Sequence, residues 1–229
     1  AASTRDLQGV VHVLAPPVLA TYFLAPLVAS WRARYPRLLL DVATDNFVSA
    51  RVDEFDVTFM VVPEDYDGNI VARTLFQGEA IVVASPDYLR RMGLPLQPQD
   101  LTRHAFLRDS AQAVRAQAGR RLCLQPLDSS LAAQEVDMPV ALQAESTEML
   151  LRAALDGVGV TVTARLLAQP FLATGALVHV LPEWIYSRYT VYAALPTRRM
   201  VPARTRVFLD FVTEQVPQAV ALQQGVGTS

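Results

Sequence analysis

The chain has 229 residues, 52% of them apolar and 18% charged, which is the composition of a protein with a sizeable core and excludes a disordered polypeptide. Its 20 basic residues are all arginine and stand against 22 acidic ones, and a net charge of −2 argues against a nucleic-acid-binding surface on this chain. The single cysteine, Cys123, excludes an intrachain disulfide and reads as a small buried apolar residue. The most apolar stretch, residues 10–27, is interrupted by His12, Pro16, Pro17 and Pro26, so no membrane span is expected. Residues 1–8 (AASTRDLQ) carry no signal-peptide pattern, and the expected location is the cytoplasm.

Residues 10–14 (VVHVL) predict a buried strand. Leu19, Phe23, Leu27, Trp31 and Tyr35 then recur in steps of four and mark one face of a helix, which Pro26 should kink or break and Pro36 should end. Residues 38–43 predict a second strand, residues 48–54 a short helix and residues 56–62 a third strand. Alternation of this kind predicts a mostly parallel sheet with helices on both faces. A second series starts with a strand at residues 79–84, followed by Ser85 as helix cap and Pro86 as first-turn proline. Residues 94–98 read as loop, and Phe106 sits on a short strand. Ser146 caps a helix that ends at Gly157 and Gly159, and residues 158–163 form the next strand. A helix over 165–172, strands over 176–180 and 189–195, and a terminal helix over 203–214 complete the reading.

No catalytic or metal constellation emerges. His12, His104 and His179 are scattered without ligand spacing, and neither a nucleophile elbow nor a phosphate-binding glycine loop is present. The acidic groups Asp53, Glu54, Asp56 and Glu64, Asp65, Asp67 read as solvated turns, and the doublets Arg90-Arg91 and Arg198-Arg199 as exposed surface. What remains is the rule that open α/β sheets bind ligands beyond the carboxyl ends of their strands, here residues 15–18, 44–46 and 60–62. Two of these loops lead into helix N-termini, which attract anions.

Several segments in this order and spacing resemble the effector-binding region of LysR-type bacterial transcriptional regulators, over nearly the whole chain. They include Ala25-Pro26-Leu27 with Trp31 and Tyr35-Pro36, the pair Phe55-Asp56, and Val71-Ala72-Arg73-Thr74-Leu75. The most specific is Val83-Ala84-Ser85-Pro86-Asp87-Tyr88-Leu89 with Gly93, Pro95, Asp100-Leu101 and His104. Ala153-Ala154-Leu155-Asp156-Gly157-Val158-Gly159, Leu181-Pro182-Glu183-Trp184 and Phe208-Leu209-Asp210-Phe211 follow.

The resemblance implies an α/β fold of two Rossmann-like lobes of the type II periplasmic-binding-protein kind, joined by two crossover strands, with a small-molecule cleft between them. Lobe I would hold residues 9–82 plus 189–216 and lobe II residues 83–188, with a linker remnant at 1–8 and a tail at 217–229. It implies a sensory domain and no enzyme, with no cofactor and no metal. It further implies a homodimer, a tetramer in the full-length protein, and DNA contact only through an N-terminal winged helix-turn-helix outside this chain. The alternative is a periplasmic solute-binding protein. Ligand contacts carried over from the family fall at Pro17, Val18 and Leu19, at Asp45 and Asn46, and at Met60 and Val61. In the second lobe they fall at Phe106, Leu107 and Arg108 and at Glu145, Ser146 and Thr147. Met60 stands where the family commonly carries Arg, and Glu145 where it commonly carries Asn; the loss of a cation and gain of a carboxylate favour a neutral or cationic, partly apolar effector.

Overall fold

The computed structural model describes residues 7–64, 71–110, 121–196 and 200–223. The chain divides into two units, one holding the described residues up to Gln77 and again Thr190–Leu222, the other holding Gly78–Tyr189.

In the first unit, strand β1 (Gly9–Ala15) pairs in parallel with both β2 (Leu38–Thr44) and β3 (Val57–Pro63). The order is β2-β1-β3, with β12 (Ser187–Leu195) beside β3. The chain between β1 and β2 is helical throughout: α1 (Pro17–Leu19), a π-helical turn (Ala20–Leu24), a 3-10 turn (Ala25–Leu27) and α2 (Val28–Arg34). The kink or break expected at Pro26 takes the form of a change of pitch that separates two α-helical segments. Proline cannot donate a backbone hydrogen bond. The run adapts by closing a wide turn from Ala25 N–H to Ala20 O and a tight one from Val28 N–H to Ala25 O. All five apolar residues of the predicted face, Leu19, Phe23, Leu27, Trp31 and Tyr35, are buried. They meet the sheet and the last helix, α6 (Ala203–Gln223), through an aromatic cluster. Phe23 packs edge-on to Phe59 at 6.0 Å, and Trp31 packs on Phe208 and Phe211 at 5.3 and 5.2 Å. The terminal helix runs on past Glu214 to Gln223, through Pro217.

The second unit repeats the plan. Strand β5 (Phe106–Asp109) is central, parallel to β8 (Val140–Ala144) and to β9 (Val160–Ala164). The carboxyl half of β4 (Val71–Ala84) runs antiparallel to β9 and also pairs with the short β10 (Val178–His179). Helix α3 (Pro86–Met92) starts as its sequence predicts, with Ser85 Oγ accepting the Tyr88 N–H at 3.3 Å. Helix α4 (Thr147–Leu155) is capped in the same way by Ser146, and α5 (Arg165–Ala173) follows β9 directly. Leu107, Leu150, Leu151 and Ala168 pack with Ile81 and Val83, while Phe106, Val160 and Val162 join a separate cluster with Tyr88 and Leu101. A Cβ at Gly159 would lie 2.4 Å from Ala105 O, so this position closes the approach of β9 to β5.

Four features depart from the sequence reading. Strand β4 has 14 residues, the segment over 176–180 keeps only a two-residue strand, and residues 98–103 form a 3-10 turn. A small sheet of β6 (Arg121–Pro126), β7 (Gln134–Asp137) and β11 (Trp184–Ile185) has no counterpart in the predicted elements. Its sequence blocks are too short and too polar to show a period, yet alternation puts Leu122 and Leu124 inward. The same alternation turns Cys123 outward, so it is exposed and not a core residue. The candidate metal spacing was absent in sequence, and no group of three or more metal-binding side chains occurs among the described residues. None of the described helices is long and apolar enough to cross a membrane.

Gly78 and Tyr189 are the first and last residues of the main segment of the second unit. The Tyr189 ring fills the space a side chain at 78 would need, since a Cβ there would sit 2.4 Å from the phenol oxygen. Burial, with Glu79 nearby, pushes the Tyr189 phenol up to about 12. Gly78→Ala should therefore cost about 1–3 kcal/mol of stability by overpacking. In a double-mutant cycle by urea denaturation, adding Tyr189→Leu should return part of that loss; strictly additive losses would contradict the contact.

His104 is 3% exposed, beside the Tyr88 ring at 5.6 Å, and Tyr88 Oη accepts the Ala105 N–H at 2.8 Å. Burial lowers its pKa from the ordinary value of 6.5, and burial lowers that of His179 as well. Because the folded pKa lies below the unfolded one, the unfolded chain binds the extra proton first as pH falls. Stability is complete above the ordinary histidine pKa and declines below it. Tm should drop between pH 7 and pH 5, and His104→Phe should flatten that drop.

Candidate effector site at the strand ends

Each unit places its first strand between its second and third, all parallel. The connections after the first and third strands then leave in opposite directions, the arrangement beyond whose carboxyl ends open α/β sheets bind ligands. In the first unit these ends are Ala15 with Pro16, Pro17 and Val18, then Thr44 with Asp45 and Asn46, then Val61 to Pro63. In the second they are Arg108 and Asp109, Ala144 with Glu145 to Thr147, and Thr163 with Ala164.

The first-unit candidates differ in what they can offer. Pro17 and Val18 are half-buried in the first helical turn, whereas Leu19 is buried core. The backbone ties two of the loops together, since Asp45 N–H donates to Ala15 O at 3.1 Å. Asp45 spends its carboxylate locally, accepting Phe47 N–H at 2.8 Å and Arg51 Nη1 at 3.1 Å. The Phe47 amide, with Arg51 next, holds that carboxyl below its usual pKa. Arg51 also pairs with Glu54 at 2.9 Å, so one cation is shared between two carboxylates and the group keeps a net negative charge. Asn46 and Val61 are half-buried at the rim. Met60 is buried among Leu14, Val48, Val62 and Ala194, where a thioether fills core space.

In the second unit Phe106 and Leu107 are core, facing opposite sides of the sheet. Arg108 donates to the Gln143 side chain. Glu145 and Ser146 are exposed; Ser146 Oγ accepts the Met149 N–H at 3.2 Å and donates to Glu148 at 3.4 Å. Thr147, half-buried at the first position of α4, makes no hydrogen bond through its hydroxyl with the described residues. One residue was missed by sequence reasoning. Thr163 is 3% exposed at the end of β9, and its hydroxyl has no partner among the described residues. Thr161, one turn of the pleat earlier, donates to Leu107 O at 2.9 Å. A buried hydroxyl left unpaired costs about 1–3 kcal/mol, which a ligand acceptor or donor would recover. The alternation VTVTA over β9 was the available signal, because polar residues on a strand covered on both faces need a partner.

Two parallel strand triplets of one plan define a protein of the two-unit α/β class. The chain belongs to the LysR substrate binding domain family, which matches residues 4–217. It is 28% identical over 214 residues to the HTH-type transcriptional regulator YhjC of Escherichia coli, covering 90% of this chain and 68% of that one. It is 26% identical over 220 residues to the HTH-type transcriptional regulator PtxR of Pseudomonas aeruginosa, covering 93% of this chain and 67% of the relative. The solved structure of CrgA, a LysR-type transcriptional regulator from Neisseria meningitidis, superimposes with a TM-score of 0.76 at 27% identity, covering 91% of this chain and 69% of that one. The fold is the type II periplasmic-binding-protein-like fold of these regulatory domains.

Ser146→Ala removes the cap of α4 together with the contact to Glu148 and should lower stability of the ligand-free chain by about 1 kcal/mol, measured by urea denaturation. Ser146→Asn should restore most of it; equal losses in both variants would show that the cap is not what Ser146 supplies.

Proposed function

We propose that this chain senses a small-molecule effector held at the carboxyl-end groups of its strands and passes the binding on to the transcriptional activity of the full-length regulator. The observation that carries the reading is the buried Thr163 hydroxyl, without a partner among the described residues at the end of β9, with the half-buried Thr147 at the start of α4 as a second candidate contact. The effector contacts fall among Pro17, Val18, Asp45, Asn46 and Val61 in the first unit and Arg108, Glu145, Ser146, Thr147 and Thr163 in the second. Leu19, Met60, Phe106 and Leu107 act as the apolar floor behind them.

The charges at these ends favour a neutral or cationic, partly apolar effector. Asp45 is matched by Arg51, Arg108 is engaged by Gln143, Met60 brings no charge, and Glu145 adds an exposed carboxylate. The domain catalyses no reaction and needs no cofactor. An effector acts by binding one state of the domain better than another, a coupling of about 1–3 kcal/mol in typical cases. The regulator works in the cytoplasm as a homodimer or tetramer, with DNA bound by a helix-turn-helix outside this chain. Relatives named as transcriptional regulators favour this reading over a solute-binding protein of an uptake system.

A thermal-shift screen tests it directly, because a ligand at 100 times its Kd adds about 2.7 kcal/mol of stability. Neutral and cationic compounds should raise Tm, and Thr147→Val and Thr163→Val should each weaken the response roughly tenfold. Hits confined to small anionic acids would overturn the assigned chemistry. Hits unaffected by both variants would overturn the assigned site.

A further inference from the structure

We infer that the first unit carries a separate binding site for a small amphipathic carboxylate, at the amino end of α6. The site is an open surface pocket of ≈410 Å³ lined by Arg73, Leu195, Met200, Val201, Arg206 and Leu209, all within the first unit. None of these residues belongs to the strand-end groups assigned to the effector. The volume lies in the range that accepts one small organic ligand.

Its chemistry is divided in a way that selects the ligand. Four of the six lining residues are apolar, and Leu209 is buried while Met200 is 95% exposed at the rim. Both charged lining residues are cations. Arg73 is held in place by Asp210 at 2.8 Å and Thr213 at 3.3 Å, both through Nη1, which leaves Nε and Nη2 uncommitted among the described residues. Arg206 is exposed and pairs with no acid among the described residues. Its backbone N–H closes the first turn of α6 onto Pro202 O at 3.1 Å, which places the positive end of a 21-residue helix beside the pocket. Asp210 is already spent on Arg73, so the unmatched charge is positive. A carboxylate reaching Arg206 and the free edge of Arg73, with its hydrocarbon part over Leu195, Val201 and Leu209, satisfies every group that lines the space.

Hexanoate is the probe, with hexanol and hexylamine as controls of equal chain length, titrated against this chain by NMR or calorimetry. Hexanoate should bind saturably, and hexanol and hexylamine should bind at least tenfold more weakly. Arg206→Gln, an exposed substitution, should weaken hexanoate roughly tenfold, and Val201→Trp should abolish binding by filling the pocket. Thr147→Val and Thr163→Val should leave hexanoate affinity unchanged, which separates this site from the effector site. Equal binding of the three probes would overturn the assignment. So would hexanoate affinity that survives both Arg206→Gln and Val201→Trp, or that falls with the threonine variants.

Discussion

The parallel pairing of each unit's first strand with its second and third is the constraint on which the rest depends. A strand hydrogen-bonded on both sides in parallel cannot be reached by tight hairpins, so the chain must return through helical crossovers. Those crossovers bury the faces of the sheet and depart in opposite directions from the first and third strands, and it is beyond such carboxyl ends that open α/β sheets bind ligands. β1 and β5 occupy this central role, and Ala15 to Val18 and Arg108 to Asp109 follow from it.

Packing then decides which residues in those loops are available. In the first unit the aromatic cluster of Phe23, Trp31, Phe59 and Phe208 fixes the helical run against one face, and Met60 is drawn into the small core on the other. Asp45 is consumed by Phe47 and Arg51, so a carboxylate that looks free in sequence is a loop-forming group in space. In the second unit the reverse happens. Thr163 looks like an ordinary strand residue, but it is buried and its hydroxyl finds no partner among the described residues.

Charge placement separates two kinds of recognition in one chain. The strand-end groups of the first unit share one cation, Arg51, between Asp45 and Glu54, while Arg73 and Arg206 leave an excess of positive charge over an apolar floor far along the chain, near the start of α6.

The sequence by itself determined the element order and most of the helix starts, because these rest on local physics. Ser85 and Ser146 cap through contacts three residues away, and Leu19 to Tyr35 mark one face by spacing alone. The family resemblance, carried by ordered short segments, supplied the two-unit plan that periodicity could not. Tertiary structure alone decided how Pro26 is absorbed, since the buried aromatic face rewards a change of pitch that keeps the run helical. It alone formed the sheet of β6, β7 and β11, whose strands are stabilised by partners distant in the chain, and turned Cys123 outward. It alone brought Arg73 to Arg206, because side chains so far apart in sequence become neighbours only when β4 and α6 pack in one unit.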